Sequence, residues 1–469
     1  MKFVIVGGGI SGWLSALIFS HRQPNHEYVI VESSDINTIG VGEGTTGLFV
    51  QTIEELPDIN VAEFLRETKA TPKIGIEFNN WSGKGSTFFN PIDGTLTTNE
   101  DFDSFLYFTY TKNPSLDTSS LHGLLKRKNK SPYTEKLKDY NSALHLDNKL
   151  TIQYLKSKSL KRKNIKYISD TVSKIQRDET GKVKKIICSN HIIEGDIFID
   201  CTGYSRIFSE KSDWVSFKDN LPMNSVTTFT RKHNVSMVTK ADKLNLGWCW
   251  QIPTQERIGC GYVSCDQWGN NVIDEIKSNY SDAEILKSFK FDSGKLKKSW
   301  NHNVISLGLA YHFLEPLQAT NIHLTLVQID ILCQRCIRQT KDRTLNPDVI
   351  SIYNKHIDNL IEDFKNFINI HYSRDSRVTL TDYNKKIISL LKVRGLFFED
   401  LPQLYGCSGI GLWGHTLLGL NHLTKQECHN FLSEMNLYEE VKEISSELQT
   451  TFTNTPFLSY KELIKSLSI

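Results

Sequence analysis

The chain opens on Lys2-Phe3-Val4-Ile5-Val6, a run with no polar position after its first residue, and breaks at three glycines. A short apolar run bounded by a turn predicts a strand covered on both faces. From Gly12 to His21 the apolar spacing is helical, and Tyr28 to Glu32 is a second β-rich run, so a βαβ unit with a right-handed crossover is expected. From Asp93 to Leu144 the sequence turns irregular, rich in Ser, Thr, Lys and aromatics. It reads as an insertion or lid, or equally as solvated loop. Residues 145–205 return to α/β character, with a helix near 149–160, strands near 165–176 and 183–188, and an apolar strand from Asp196 to Asp200. Alternation of polar and apolar residues over 222–265 predicts a sheet layer, and beyond about residue 340 the spacing is helical.

Chemistry enters at the first turn. Gly7-Gly8-Gly9-Ile10-Ser11-Gly12 is GxGxxG between strand and helix, with Gly7 for the turn, Gly9 for backbone approach to a pyrophosphate and Gly12 for close helix packing. Glu32 closes the second strand twenty residues after Gly12, where a carboxylate accepts ribose hydroxyls. The downstream strand ending Asp200-Cys201-Thr202-Gly203 favours FAD over NAD, since many FAD proteins carry such a strand and turn. No second strand-anchored fingerprint follows, because Gly406-Cys-Ser-Gly409-Ile-Gly411 has other spacing and no strand before it. The chain therefore lacks a nicotinamide site of its own, and reduced flavin must come from elsewhere. The fold class read from this is α/β: a Rossmann-like FAD-binding fold with an inserted β-sheet or substrate module and a helical C-terminal region.

Composition acts mainly by exclusion. Lys and Arg number 55 against 53 Asp and Glu, a formal charge of +2, which offers no footprint for nucleic acid. Nine cysteines, an odd number scattered through 469 residues, argue for reduced thiols and a cytoplasmic setting. Cys333 and Cys336 form one CxxC without a second ligand pair, so no metal site is expected. The opening apolar run stops at Gly7 without a cleavage pattern, and nowhere do about 18 apolar residues run on, so neither signal peptide nor membrane span is expected.

Several further segments fall into an ordered set. They are Gly40-Val41-Gly42-Glu43-Gly44-Thr45-Thr46, Thr71-Pro72-Lys73 leading to Asn80-Trp81, Trp248-Cys249-Trp250-Gln251-Ile252-Pro253 followed by Gly261-Tyr262-Val263, and Leu307-Gly308-Leu309-Ala310 leading to Phe313-Leu314-Glu315-Pro316-Leu317. Together they resemble the flavin-dependent tryptophan halogenase family, from residue 1 to about 330. The resemblance implies cofactor contacts at Ile39, Gly40, Gly42, Gly44, Val172, Asp200, Gly203, Leu309 and Ile322, beside Gly7, Gly9, Gly12 and Glu32. It implies a reaction in which reduced FAD, delivered by a separate NAD(P)H-dependent flavin reductase, forms a hydroperoxide with oxygen that a halide attacks to give hypohalous acid. Trp248 and Trp250 then stand between flavin and substrate, although two aromatics at i and i+2 also share a strand face for plain packing. Lys73 receives the oxidant beside the substrate. The lysine segment alternates like a strand, which puts Lys73, Gly75 and Glu77 on one face.

The family pattern is not kept throughout. Where the family has a glutamate and a Thr-Gly pair that holds halide, this chain has Gln318 and Thr320-Asn321. Gln318 cannot take up a proton, so general-base catalysis from there is excluded. Asn321 replaces a glycine, with the better tolerance of asparagine for left-handed backbone in its favour. On the substrate side Asn90 and Ile92 stand where the tryptophan enzymes clasp indole with His and Phe. The expected function is halogenation of an electron-rich organic molecule, with bromide or iodide preferred over chloride. A flavin monooxygenase and a flavin-binding protein without catalysis are the alternatives. The domain reading assigns 1–86 and 145–215 to the FAD-binding core, 87–144 to the lid near substrate, 216–294 to the sheet layer, 295–335 to flavin and halide, and 336–469 to the helical substrate side.

Overall fold

The structure is a computed structural model and describes residues 1–35, 42–92, 102–136, 138–234, 236–395, 400–402 and 409–467. β1 (Lys2–Val6) lies inside a six-stranded sheet, paired in parallel with β2 (Glu27–Glu32) on one side and Ile197–Asp200 on the other. Ile165–Ser169 extends the sheet beyond β2 and Val304–Ser306 beyond Ile197–Asp200, with Trp300–Asn301 as an antiparallel edge. A strand flanked and covered in this way has no solvent face, which is why its sequence does not alternate. The crossover α1 (Ile10–Arg22) begins at Ile10 rather than Gly12, because Gly9 serves as its extended N-cap. Phe3, Phe19 and Tyr28 stack between helix and sheet. This is the α/β, Rossmann-like architecture that the sequence predicts.

The alternating stretch forms four strands, Ser225–Lys232, Val238–Lys243, Gly247–Pro253 and Arg257–Ser264. They belong to a seven-stranded sheet that takes Glu284–Lys290 at one edge and Gly75–Asn79 with Thr87–Pro91 at the other. The sheet layer is thus discontinuous in sequence, and its parallel pairing of Val238–Lys243 with Gly75–Asn79 has no local signature.

The lysine segment departs from expectation. Thr71–Lys73 pairs with Ala143–Leu146, which also holds Glu43–Gly44, whereas Gly75–Asn79 lies in the seven-stranded sheet. The chain changes sheets at the buried Ile74, so Lys73, Gly75 and Glu77 do not share a face. Lys73 is buried, while the half-buried Glu77 pairs with Lys126 at 2.7 Å and Lys240 at 3.7 Å.

The region read as irregular is largely regular where described, with helices Phe102–Lys112 and Leu121–Lys128 and strand Lys130–Thr134. Its first helix buries every position from Phe105 to Tyr110, Thr109 included, which leaves no polar stripe to read. It packs on Lys425–Met435 and Tyr438–Asn454, and Lys130–Thr134 pairs with Phe457–Ser459. The C-terminal region is helical, its longest helix Pro347–Ile370 opening on an Asn346 cap with Pro at the first position. Among the described residues no helix is long and apolar enough to cross a membrane.

Candidate active site

The turn after β1 opens into a cavity of about 530 Å³. A Cβ added at Gly9 meets nothing within 4 Å, whereas at Gly12 it would stand 1.9 Å from the Gly7 carbonyl oxygen. One glycine faces empty space and the other seals helix to turn. No side chain caps α1, so its first N–H groups remain available to a phosphate. Glu32 reaches across the turn and accepts from Lys156 Nζ at 2.5 Å, with acceptor capacity left for ribose hydroxyls. Gly42, Gly44, Val172, Gly203, Leu309 and Ile322 line the same cavity. Ile39 and Gly40 lie outside the described residues. Asp200 is off the lining: its buried Oδ1 accepts from Thr202 N at 2.9 Å and Thr202 Oγ1 at 2.6 Å, bracing the turn at Gly203. Burial pushes this carboxyl above its usual range. Open space, uncapped donors and a ribose acceptor fit FAD, and these residues would hold it.

Trp248 and Trp250 line the cavity together, ring centroids 6.0 Å apart at 55°. Trp250 pairs across the sheet with Gly261, where a Cβ would stand 2.1 Å from the indole, so the glycine is what seats the ring. The Trp248 indole N–H donates to Glu315 Oε2 at 3.3 Å, and the Tyr372 hydroxyl donates to the same oxygen. Glu315 is fully buried, and burial pushes its carboxyl up to about 7, opposed by the two hydrogen bonds and by Lys243. A carboxyl raised in the folded state stabilises fully below its unfolded pKa of 4.5, and that contribution disappears as pH rises through 7. Wild-type stability should therefore fall between pH 5 and 8 by up to about 3 kcal/mol relative to Glu315→Gln. Urea midpoints across that range check this, and parallel curves for the two proteins would rule it out.

Lys73 lines the cavity from the strand that lies across Ala143–Leu146 from Gly44. Its Nζ donates to the Thr45 carbonyl oxygen at 2.9 Å. A Cβ on Gly44 would stand 3.2 Å from that Nζ and 3.4 Å from Ala319 Cβ, so the amine and the turn at 318–319 flank one glycine. His145, between Thr71 Oγ1 at 3.0 Å and Thr239 Oγ1 at 2.8 Å, is held neutral, first by burial and then by the charge of Lys73.

Gln318 also lines the cavity, and its Nε2 lies 3.0 Å from His371 Nε2. The left-handed backbone falls at Gln318 (φ 65°) and Ala319 (φ 56°), while Asn321 is helical, so the backbone tolerance expected of Asn321 is not called on. Helix Thr320–Ile331 starts without a side-chain cap. Asn321 lines the cavity, whereas Thr320 is buried off the lining with its hydroxyl oxygen unpartnered. Asn90 and Ile92 are not brought to the cavity. Asn90 is buried with Nδ2 donating to Thr416 Oγ1 at 3.0 Å, and Ile92 donates its N–H to the Ile74 carbonyl.

Glu315, Tyr372, His145 and His371 are the site residues that sequence reasoning did not single out. Only Glu315 gave a signal, a carboxylate amid the apolar run Phe313-Leu314 and Pro316-Leu317. The others lie far from their partners in sequence.

Among proteins of known activity, the tryptophan 7-halogenase RebH of Lentzea aerocolonigenes is 25% identical over 409 residues, covering 79% of this chain and 76% of RebH. The tryptophan 6-halogenase ThaL of Streptomyces albogriseolus is 25% identical over 413 residues, covering 80% and 76%. The solved structure of the tryptophan 6-halogenase SttH from Streptomyces toxytricini shares the fold, with a TM-score of 0.83 at 23% identity over 99% of both chains. The family model described as tryptophan halogenase matches residues 2–409, and the chain belongs to that family of flavin-dependent enzymes.

Proposed function

We propose that the chain is a halogenase of electron-rich organic molecules, working in the cytoplasm with reduced FAD from a separate flavin reductase, and that Lys73 directs the oxidant. The observation that carries this reading is a single cavity lined by the glycine turn, by Trp248 and Trp250, and by Lys73. Bound flavin supplies, from oxygen and halide, hypohalous acid. The protein does the rest. The uncapped start of Thr320–Ile331, beside Asn321, offers N–H donors to a halide. The tryptophan pair obstructs a bulky aromatic while a small oxidant passes, and Lys73 Nζ donates a hydrogen bond to the oxidant beside the substrate. Neutral Gln318 adds no charge near the halide.

Incubation with FAD, a flavin reductase, NADH and each halide against an aromatic panel, read by mass, tests the proposal. Oxygen insertion in place of halogen would favour the monooxygenase, and flavin binding without product the non-catalytic reading. In equimolar competition, with free hypohalous acid scavenged, bromide or iodide products should exceed chloride products, and Gln318→Glu should alter the ratio. Softer halides need less assistance as nucleophiles, and Gln318 repels none of them. Efficient chlorination with nothing from the heavier halides would count decisively against this preference.

A further inference from the structure

Gln318 and His371 constrain one another. His371 Nδ1 lies 2.8 Å from the Phe367 carbonyl oxygen, which can only accept, so Nδ1 carries the proton. The ring is fully buried against Phe78, Trp81 and Phe367, and burial pushes its pKa down to about 4, leaving the imidazole neutral. Nε2 is then a lone pair, and the group 3.0 Å away must be the donor, the Gln318 amide N–H. That fixes the amide's other end. Among the described residues none donates a hydrogen bond to the Gln318 carbonyl oxygen, and the side chain lines the cavity on the turn that flanks Gly44 opposite Lys73.

We propose that His371 is a positioning residue: it locks the Gln318 amide with its carbonyl oxygen toward the cavity, where that oxygen accepts the O–H of hypohalous acid held beside Lys73. The role rests on the halogenase reading above. A carboxylate at 318 would set an acceptor against the His371 lone pair, and the two could coexist only by taking up a proton between them. Glutamine avoids this. Gln318 and His371 are therefore a matched pair in which the oxidant keeps its own proton. The ionisable groups around the pair include Lys73, bonded to the Thr45 carbonyl, Tyr372, bonded to Glu315, and Lys243, which lies against Trp81 and is paired with Asp375 at 2.6 Å; none of them hydrogen-bonds the imidazole.

The test has two arms. In protein labelled with nitrogen-15 histidine, His371 should show the neutral Nδ1–H form from pH 5 to 9, and Gln318→Glu should raise its protonation midpoint by roughly 1–3 pH units. An Nε2–H form in the wild type, or an unmoved midpoint in the variant, would overturn the pairing without reference to turnover. In the second arm, product per flavin reoxidised should fall about tenfold in His371→Ala, with the lost oxidant recovered in a hypohalous acid trap. His371→Gln, which restores an acceptor to the amide, should recover much of the loss. Wild-type coupling in His371→Ala would remove the role, and no halogenated product from the wild type with any halide would overturn the underlying function and this role with it.

Discussion

Gly9→Val should fold as the wild type does and fail to bind FAD, whereas Gly12→Val should not reach the native state. The contrast follows from two Cβ positions three residues apart. At Gly9 a side chain enters space that no protein atom occupies, so the valine displaces only the pyrophosphate, and flavin affinity should drop at least about 100-fold. At Gly12 the new carbon would overlap the Gly7 carbonyl oxygen at 1.9 Å, forcing α1 off β1 at the centre of the sheet. Overpacking of a well-filled core typically costs 1–3 kcal/mol even where it can relax, and here the obstacle is backbone. Thermal melts separate the two variants and calorimetry with FAD reads the first. Gly9→Val with wild-type flavin affinity would mean that the cavity over the turn is not the cofactor's. NADH should bind neither the wild type nor the variant, since one fingerprint is present.

Lys73→Ala should keep flavin binding and hypohalous acid production yet lose product by about 10²–10³-fold, the usual effect of removing a donor aimed at a reacting group. The side chain is buried on a strand bordering the cavity, and its Nζ donates a hydrogen bond to the Thr45 carbonyl. Truncation leaves that carbonyl short of a donor, so a moderate fall in stability should accompany the loss. Lys73→Met keeps the volume and separates the two effects, because it should stay inactive whether or not stability recovers. Flavin reoxidation with trapped oxidant and no product is the expected pattern. Normal turnover in both variants would take Lys73 out of the reaction.

The glycine turn and the sheet layer were legible because both depend on local rules. A strand that ends in GxGxxG needs no distant partner to be recognised, and the alternation over 222–265 is a property of each strand alone. The lysine segment was misread for the converse reason: nothing in Thr71 to Asn79 says that pairing partners change at Ile74. Helix Phe102–Lys112 was missed because burial on all sides erases the period that reveals an amphipathic helix. His371 could not be found from sequence, since its meaning depends on Gln318, a contact between residues 53 apart. Glu315 was visible, but its burial against Trp248 and Tyr372 was not.

The change of sheet at Ile74 sets a rule about length. Lys73 is held in register with Ala143 in one sheet, and Gly75 with Val238 and Pro91 in the other. Adding or deleting a single residue between these anchors would invert one strand's faces relative to its own sheet, turning either the amine away from the cavity or the Gly75–Asn79 core face toward solvent. The neighbours of Lys73 can vary in kind while the spacing cannot, so insertions and deletions in this lineage should be excluded from the segment even where its substitutions are frequent.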